Sequence, residues 1–223
     1  MIFETLKETV GDFLKETFEI DDDTYETYLR VPHLHVRREF LNVEITQSAI
    51  DGWYSRSISV IFDDLKNIEK RVPFLHAAYD AMLTFGAIDN VLTFRDCGGF
   101  NAYYLSAMGK MHVVPSDIRS ISLSIAEMIN GRYDVVPIEN MYGTIIMYEV
   151  LEKAVDPMLM LKQISKRAAK CLITTDHFKK CKSNTRMLRK NKSNANFVQT
   201  WLKWFGFDEI VTMKELIVGC RSS

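Results

Sequence analysis

The sequence carries almost no net charge: 28 lysines and arginines stand against 29 aspartates and glutamates, a formal balance of −1. That excludes a chain built as a polyelectrolyte for nucleic acid or for an anionic membrane surface. There is no apolar run near the roughly 18 residues that a membrane-spanning helix needs. The opening stretch, MIFETLKETVGDFLKE, alternates acids with apolar residues and has neither the basic start nor the continuous apolar core of a secretion signal, which points to the cytoplasm. The cysteines, at positions 97, 171, 181 and 220, lie far apart with no CxxC spacing, the pattern of free thiols in a reducing compartment. Internal repeats are absent, and so is the GxGxxG fingerprint of a nicotinamide-binding oxidoreductase.

What is present falls into two textures. Residues 1–85 read as a helical N-terminal extension. Phe3, Leu6, Val10, Phe13 and Leu14 recur at helical spacing, IDDDTYETYLR opens with carboxylates suited to a helix N-terminus, and FLHAAYDAMLTFG is a compact helix closed by Gly86. The stretch WYSRSISVIFDDLKNIEKR reads as a helix or as a short strand followed by one. His33 and His35 would share one face if their segment were a strand, but no neighbouring cysteine or acid completes a metal set.

Residues 86–223 alternate short apolar runs with helical patterns. NVLTF, MHVVPSD, YDVVPIE, GTIIMYEV and KCLITTD read as strands, and DPMLMLKQISKRAA as a helix with Asp156 as its cap and Pro157 at its first position. FDEIVTM and ELIVGCR are so close that they should form an antiparallel hairpin. This alternation predicts an α/β sandwich, a mostly parallel sheet covered on both faces. Trp201 and Trp204 are spaced to suit the buried side of the helix before the hairpin.

Three stretches carry a family resemblance. YGTIIMYEVLEKAVDPMLMLKQISKRAAKCLITTD is similar, in order and spacing, to the fourth strand, EVLEH turn, DP helix and fifth strand of the class I S-adenosylmethionine-dependent methyltransferases. VLTFRDCGGFNAYYLSAMG resembles that family's VLDLGCGTG loop, and Gly206–Phe207 before a terminal hairpin resembles its ending. The resemblance covers residues 87–221. It implies a Rossmann-like, seven-stranded, mostly parallel sheet with an antiparallel last strand, S-adenosylmethionine as cofactor, and methyl transfer to a small or medium acceptor.

It also implies a site. Gly98 and Gly99 would let backbone approach the ligand, with Asp96 brought into use by a one-residue bulge. Asp117, at the end of the second strand, would hold the ribose hydroxyls. Glu139 or Asn140, after the third strand, would help hold adenine, and Glu149 would line the path to the methyl group. His177 is a candidate general base. The departures are as specific as the matches: without a bulge Thr93 falls on the acidic position, and Arg95 and Cys97 fall on glycines. Arg95 would place a bulky cation where a cationic sulfonium must pass, unless it swings outward or pairs with an acid such as Asp96 or Asp117. Lys153 stands where the EVLEH turn has histidine.

Two other readings remain open from the residues. The altered loop fits a protein that keeps the fold as a binding scaffold without the chemistry. The basic segment 179–192 fits phosphate or nucleic acid, although aromatics for base stacking are absent inside it.

Overall fold

The computed structural model describes residues 2–118, 121–175, 197–213 and 216–222. His177, Cys181 and the basic segment 179–192 lie outside them.

The first six helices are α1 Ile2–Phe18, α2 Asp22–Arg30, α3 Pro32–Phe40, α4 Gln47–Tyr54, α5 Ile58–Asn67 and α6 Val72–Thr84. Their starts follow from side-chain caps: Asp21 accepts the Thr24 N–H, and Thr46 accepts that of Ala49. The stretch around Trp53 to Arg71, with its open strand alternative, is helical throughout apart from the turn between α4 and α5. His33 and His35 sit on helix α3, not on a strand, so a two-residue separation turns them to different sides.

The sheet elements follow: β1 Val91–Phe94, α7 Phe100–Gly109, β2 Val113–Asp117, α8 Ile121–Asn130, β3 Asp134–Val135, β4 Tyr142–Met147, α9 Pro157–Ser165, β5 Ala168–Thr175, α10 Val198–Trp204, β6 Glu209–Met213 and β7 Leu216–Cys220. They form one seven-stranded sheet in the order β3-β2-β1-β4-β5-β7-β6. Strand β7 runs antiparallel between β5 and β6, as the short link to β6 requires. The other pairings are parallel. Successive residues of each strand face opposite layers. Leu92, Ile145, Leu172 and Ile217 pack with α9 and α10, while Val91, Ile146, Ile173 and Val218 pack with α6 and α7. On α10 Trp201 is buried but Trp204 is exposed, contrary to the expectation from their spacing.

Helix α6 lies in the region read as an extension, yet its Phe74, Leu75, Ala78 and Met82 cover the sheet. Leu6, Val10 and Leu14 of α1 share a second cluster with Phe62 of α5 and with Phe100 and Ile125 of the α/β part. The change of texture near residue 86 is therefore no break in the core. No helix among the described residues is long and apolar enough to cross a membrane.

Candidate functional site at the carboxyl ends of the strands

In a parallel sheet, backbone and side chains at the carboxyl ends of the strands are left open for ligands. Here β1 leads into the turn 95–99, and its conformation is left-handed at Arg95 (φ 53°), Gly98 (φ 71°) and Gly99 (φ 70°). The turn is held from inside by Asp96. Its carboxylate accepts the backbone N–H groups of Asn101 (3.0 Å) and Ala102 (2.8 Å) and the Thr93 hydroxyl (2.9 Å). These are unpaired donors of the first turn of α7, so Asp96 caps that helix from the preceding turn. Burial raises its pKa to about 6, against the pull of those hydrogen bonds. Asp96 therefore points into the fold, and the cavity wall is formed by other residues.

Gly98 and Gly99 likewise serve packing. A Cβ on Gly98 would lie 2.7 Å from the Phe100 ring, and one on Gly99 would lie 2.5 Å from Asn130 Nδ2 and 2.9 Å from the Ala126 Cβ. Their positive φ and their closeness to α7 and α8 account for both glycines without a ligand.

Asp117 ends β2 as expected. Among the described residues its carboxylate accepts the Ile118 N–H (2.8 Å) and the Ser122 hydroxyl (2.9 Å), so it helps start α8. It also lines the cavity at the ends of β1, β2 and β4. Burial lifts its pKa to about 6, opposed by those two bonds and by the Arg95 charge.

Glu139 and Asn140 stand elsewhere. Strand β3 is only two residues long, and residues 136–141 carry the chain straight back to the start of β4. The Glu139 carbonyl is held by Arg167, just before β5, and both side chains are exposed. They lie near the amino ends of the strands, away from the cavity, which corrects the adenine assignment.

Glu149 follows β4 with φ 50° and does line the cavity. Its N–H donates to the Thr175 hydroxyl (3.0 Å), which donates in turn to the buried Glu152 carboxylate (3.0 Å). Lys153 reaches to 3.9 Å from the Glu149 carboxylate. The cavity itself is narrow, about 40 Å³, with Asp64, Arg95, Cys97, Asp117, Glu149 and Lys153 in its wall. A wider recess of about 270 Å³ shares Asp64 and Glu149 with it and extends to His33, Asn67, Lys70 and Tyr148. Asp64 is paired with Arg71 in a buried ion pair between α5 and the start of α6. The Cys97 thiol is pushed well up by burial, which keeps it protonated and unreactive.

The feature sequence reasoning missed is the partner of Arg95. Its guanidinium forks onto Asp51 of α4, Nη1 to Oδ1 at 2.6 Å and Nη2 to Oδ2 at 2.9 Å, not onto Asp96 or Asp117. Gln47 of the same helix donates to Asp51 Oδ1 (2.8 Å) and accepts the Val155 N–H (3.1 Å) beyond β4. Helix α4 thus places Tyr54 in the cavity wall and is fastened to the β1 turn through Asp51 and to the chain beyond β4 through Gln47. Its far side is held by Glu39, which accepts from Trp53 Nε1 (3.2 Å), Ser57 and Ser59 (both 2.5 Å). The arginine at a glycine position was the available signal; its partner, 44 residues upstream, had none.

No protein-family model matches the chain, and no curated protein sequence matches it closely. Solved structures do. Magnesium protoporphyrin IX methyltransferase from Synechocystis PCC 6803 with bound S-adenosylmethionine is 14% identical, with 86% of this chain and 97% of that one covered and a TM-score of 0.52. Its form with bound S-adenosylhomocysteine covers 97% of this chain and all of that one, with a TM-score of 0.51. An O-methyltransferase family protein from Burkholderia thailandensis is 10% identical, covering 90% of this chain and 71% of that one, with a TM-score of 0.61. The chain therefore has the fold of the class I S-adenosylmethionine-dependent methyltransferases.

Proposed function

We propose that the protein binds S-adenosylmethionine at the carboxyl ends of β1, β2 and β4 and transfers its methyl group to a small polar acceptor. The observation that carries this is Asp117, a buried carboxylate at the end of β2 that lines the cavity beside the β1 turn. A carboxylate there suits a ribose diol, whose two hydroxyls are donors at the spacing of one carboxylate. The room does not suit the ligand while α4 is down: about 40 Å³ compares with the roughly 300–1,000 Å³ of small-molecule sites. Binding on this reading needs α4 to lift.

When bound, the cofactor supplies an electrophilic methyl group; the chain supplies position and exclusion of water. The 270 Å³ recess is the place for the acceptor, because Glu149 and Asp64 stand in the wall it shares with the cavity. Glu149 would accept a hydrogen bond from the acceptor's N–H or O–H and orient its lone pair. Tyr148 would donate, since burial and the adjacent Glu149 raise its pKa and keep the phenol protonated.

Calorimetric titration with S-adenosylmethionine and S-adenosylhomocysteine tests the reading. Asp117→Ala should weaken binding by about 1–3 kcal/mol, the cost of hydrogen bonds to a charged group. If neither ligand binds at millimolar concentration to wild type or to a variant with α4 released, the reading falls. The fastening of α4 favours a second reading, a scaffold that keeps the fold without the chemistry, and the same null result would establish it.

A further inference from the structure

Arg95 stands in the wall of the cavity and holds a carboxylate, and that carboxylate belongs to the protein. We infer that the Arg95 guanidinium is the seat for the amino-acid carboxylate of the cofactor, and that Asp51 of α4 is a built-in competitor which occupies the seat while the cavity is closed. The inference rests on the cofactor reading above and deepens it.

The geometry is that of two-point carboxylate recognition. A planar guanidinium offers parallel N–H groups that match both oxygens of a carboxylate, and the two distances here, 2.6 and 2.9 Å, are those of a charge-assisted fork. Arg95 is held where such a ligand would meet it. Its backbone is left-handed, which a non-glycine residue adopts at a cost, and its side chain rises from the β1 turn into the cavity wall shared with Asp117. The guanidinium lies 5.9 Å from the Phe94 ring. Its Nε is buried and has no acceptor among the described residues, so the fork with Asp51 does not satisfy all of its donors.

Asp51 reports the other half of the device. It is not a core residue; its side chain keeps 27% of its exposure, against 16% for Arg95. The pair can therefore part without stranding a fully buried charge. Asp51 is also bonded to Gln47, and Gln47 to the backbone of Val155 beyond β4. Loss of the fork thus loosens the helix that sets Tyr54 in the cavity wall. A ligand bearing a carboxylate would displace Asp51, take the fork and release α4 in one exchange of equal charges. A ligand with the same nucleoside but no carboxylate would have to open the lock and gain nothing from Arg95.

The test compares S-adenosylhomocysteine with 5′-methylthioadenosine, which has the nucleoside and thioether but no amino-acid carboxylate. Titrations would use the wild type, Asp51→Ala, Asp51→Asn and Arg95→Met, each checked for an unchanged circular-dichroism spectrum. Removing the competitor should tighten S-adenosylhomocysteine by about tenfold or more in either Asp51 variant. Amide hydrogen exchange in α4 should speed up in the same variants without ligand. Arg95→Met frees α4 and removes the seat, so it should lower the preference for S-adenosylhomocysteine over 5′-methylthioadenosine by about tenfold or more. The inference is overturned, with the cofactor reading intact, if S-adenosylhomocysteine binds but the Arg95 variant keeps the wild-type preference, or if the Asp51 variants bind it no more tightly. If no variant binds either ligand, both fall.

Discussion

Replacing Asp96 by asparagine sets two opposed effects against each other, and pH separates them. The wild-type carboxylate is fully buried and accepts three hydrogen bonds, two from the first turn of α7 and one from the Thr93 hydroxyl. Burial nevertheless dominates, so that it titrates at about 6 rather than 3.8. The native state then keeps a proton that the unfolded chain has released across that window. Stability falls as pH rises through it, by about 3 kcal/mol for this one group. Asparagine is never charged and avoids that loss, but it gives up one of its two acceptor oxygens, at a cost of about 1 kcal/mol relative to the protonated acid. Below about pH 4 Asp96→Asn should be slightly less stable than wild type, and above about pH 7 more stable by about 1–2 kcal/mol. Urea unfolding at a series of pH values measures the difference. Glu152 shifts in the same direction but cancels between the two proteins, whereas Asp117, raised in part by the Asp96 charge, adds to the gain of the asparagine variant at neutral pH. A gap that does not change with pH would show that Asp96 titrates as an ordinary aspartate and that its hydrogen bonds offset its burial in full. An asparagine variant less stable by several kcal/mol at neutral pH would refute the same balance from the other side.

Gly99→Ala must hold φ at 70° and push a Cβ against Ala126 and Asn130, so thermal unfolding should show a loss of about 2–4 kcal/mol; a change under about 1 kcal/mol would mean the turn can move away from α8. Asp64→Ala strands the buried Arg71 and should cost about 3–5 kcal/mol in denaturant unfolding, and adding Arg71→Met should recover much of it; equal losses in the single and double variants would contradict this. Glu152 is lifted to about 7, chiefly by burial, so Glu152→Gln should raise stability by about 1–3 kcal/mol above about pH 8 and confer no such gain near pH 5, as read from unfolding midpoints at both pH values.

Much of the fold was legible because buried strands in a covered sheet read as largely apolar runs, as β1, β4, the second half of β5 and β7 do. The antiparallel β7 followed from chain length alone, since a short link cannot make a parallel crossover. Asp117 was legible for the same reason: the end of an apolar run places a residue at the mouth of the sheet. Glu139 and Asn140 were misplaced because the run YDVVPIE looks like a full strand, whereas pairing stops after Asp134 and Val135 and the rest returns to the other edge. Pattern reports where a strand begins far better than where pairing ends. The roles of Gly98 and Gly99 could not be separated in sequence, because a turn that needs positive φ and a turn that admits a ligand ask for the same residue. Trp204 shows the same limit on a helix, where spacing gives a face but not what covers it.

The turn after β1 answers what happens when a glycine of such a loop is lost. Arg95, which the family resemblance sets on a glycine, adopts the left-handed backbone that glycine favours, at φ 53°. A left-handed arginine costs about 1–2 kcal/mol, a cost no sequence retains in a working turn without some return. Two interactions supply that return from opposite sides. Asp96, the next residue, ties the turn inward to α7, and the Arg95 fork ties it outward to α4. An eroded loop would be expected to lose its geometry along with its glycines, since nothing would hold three left-handed residues in a span of five. Here the geometry persists, and the arginine's charge is neutralised by Asp51 of α4; on the function proposed above, that fork is the contact a carboxylate ligand would exchange for its own.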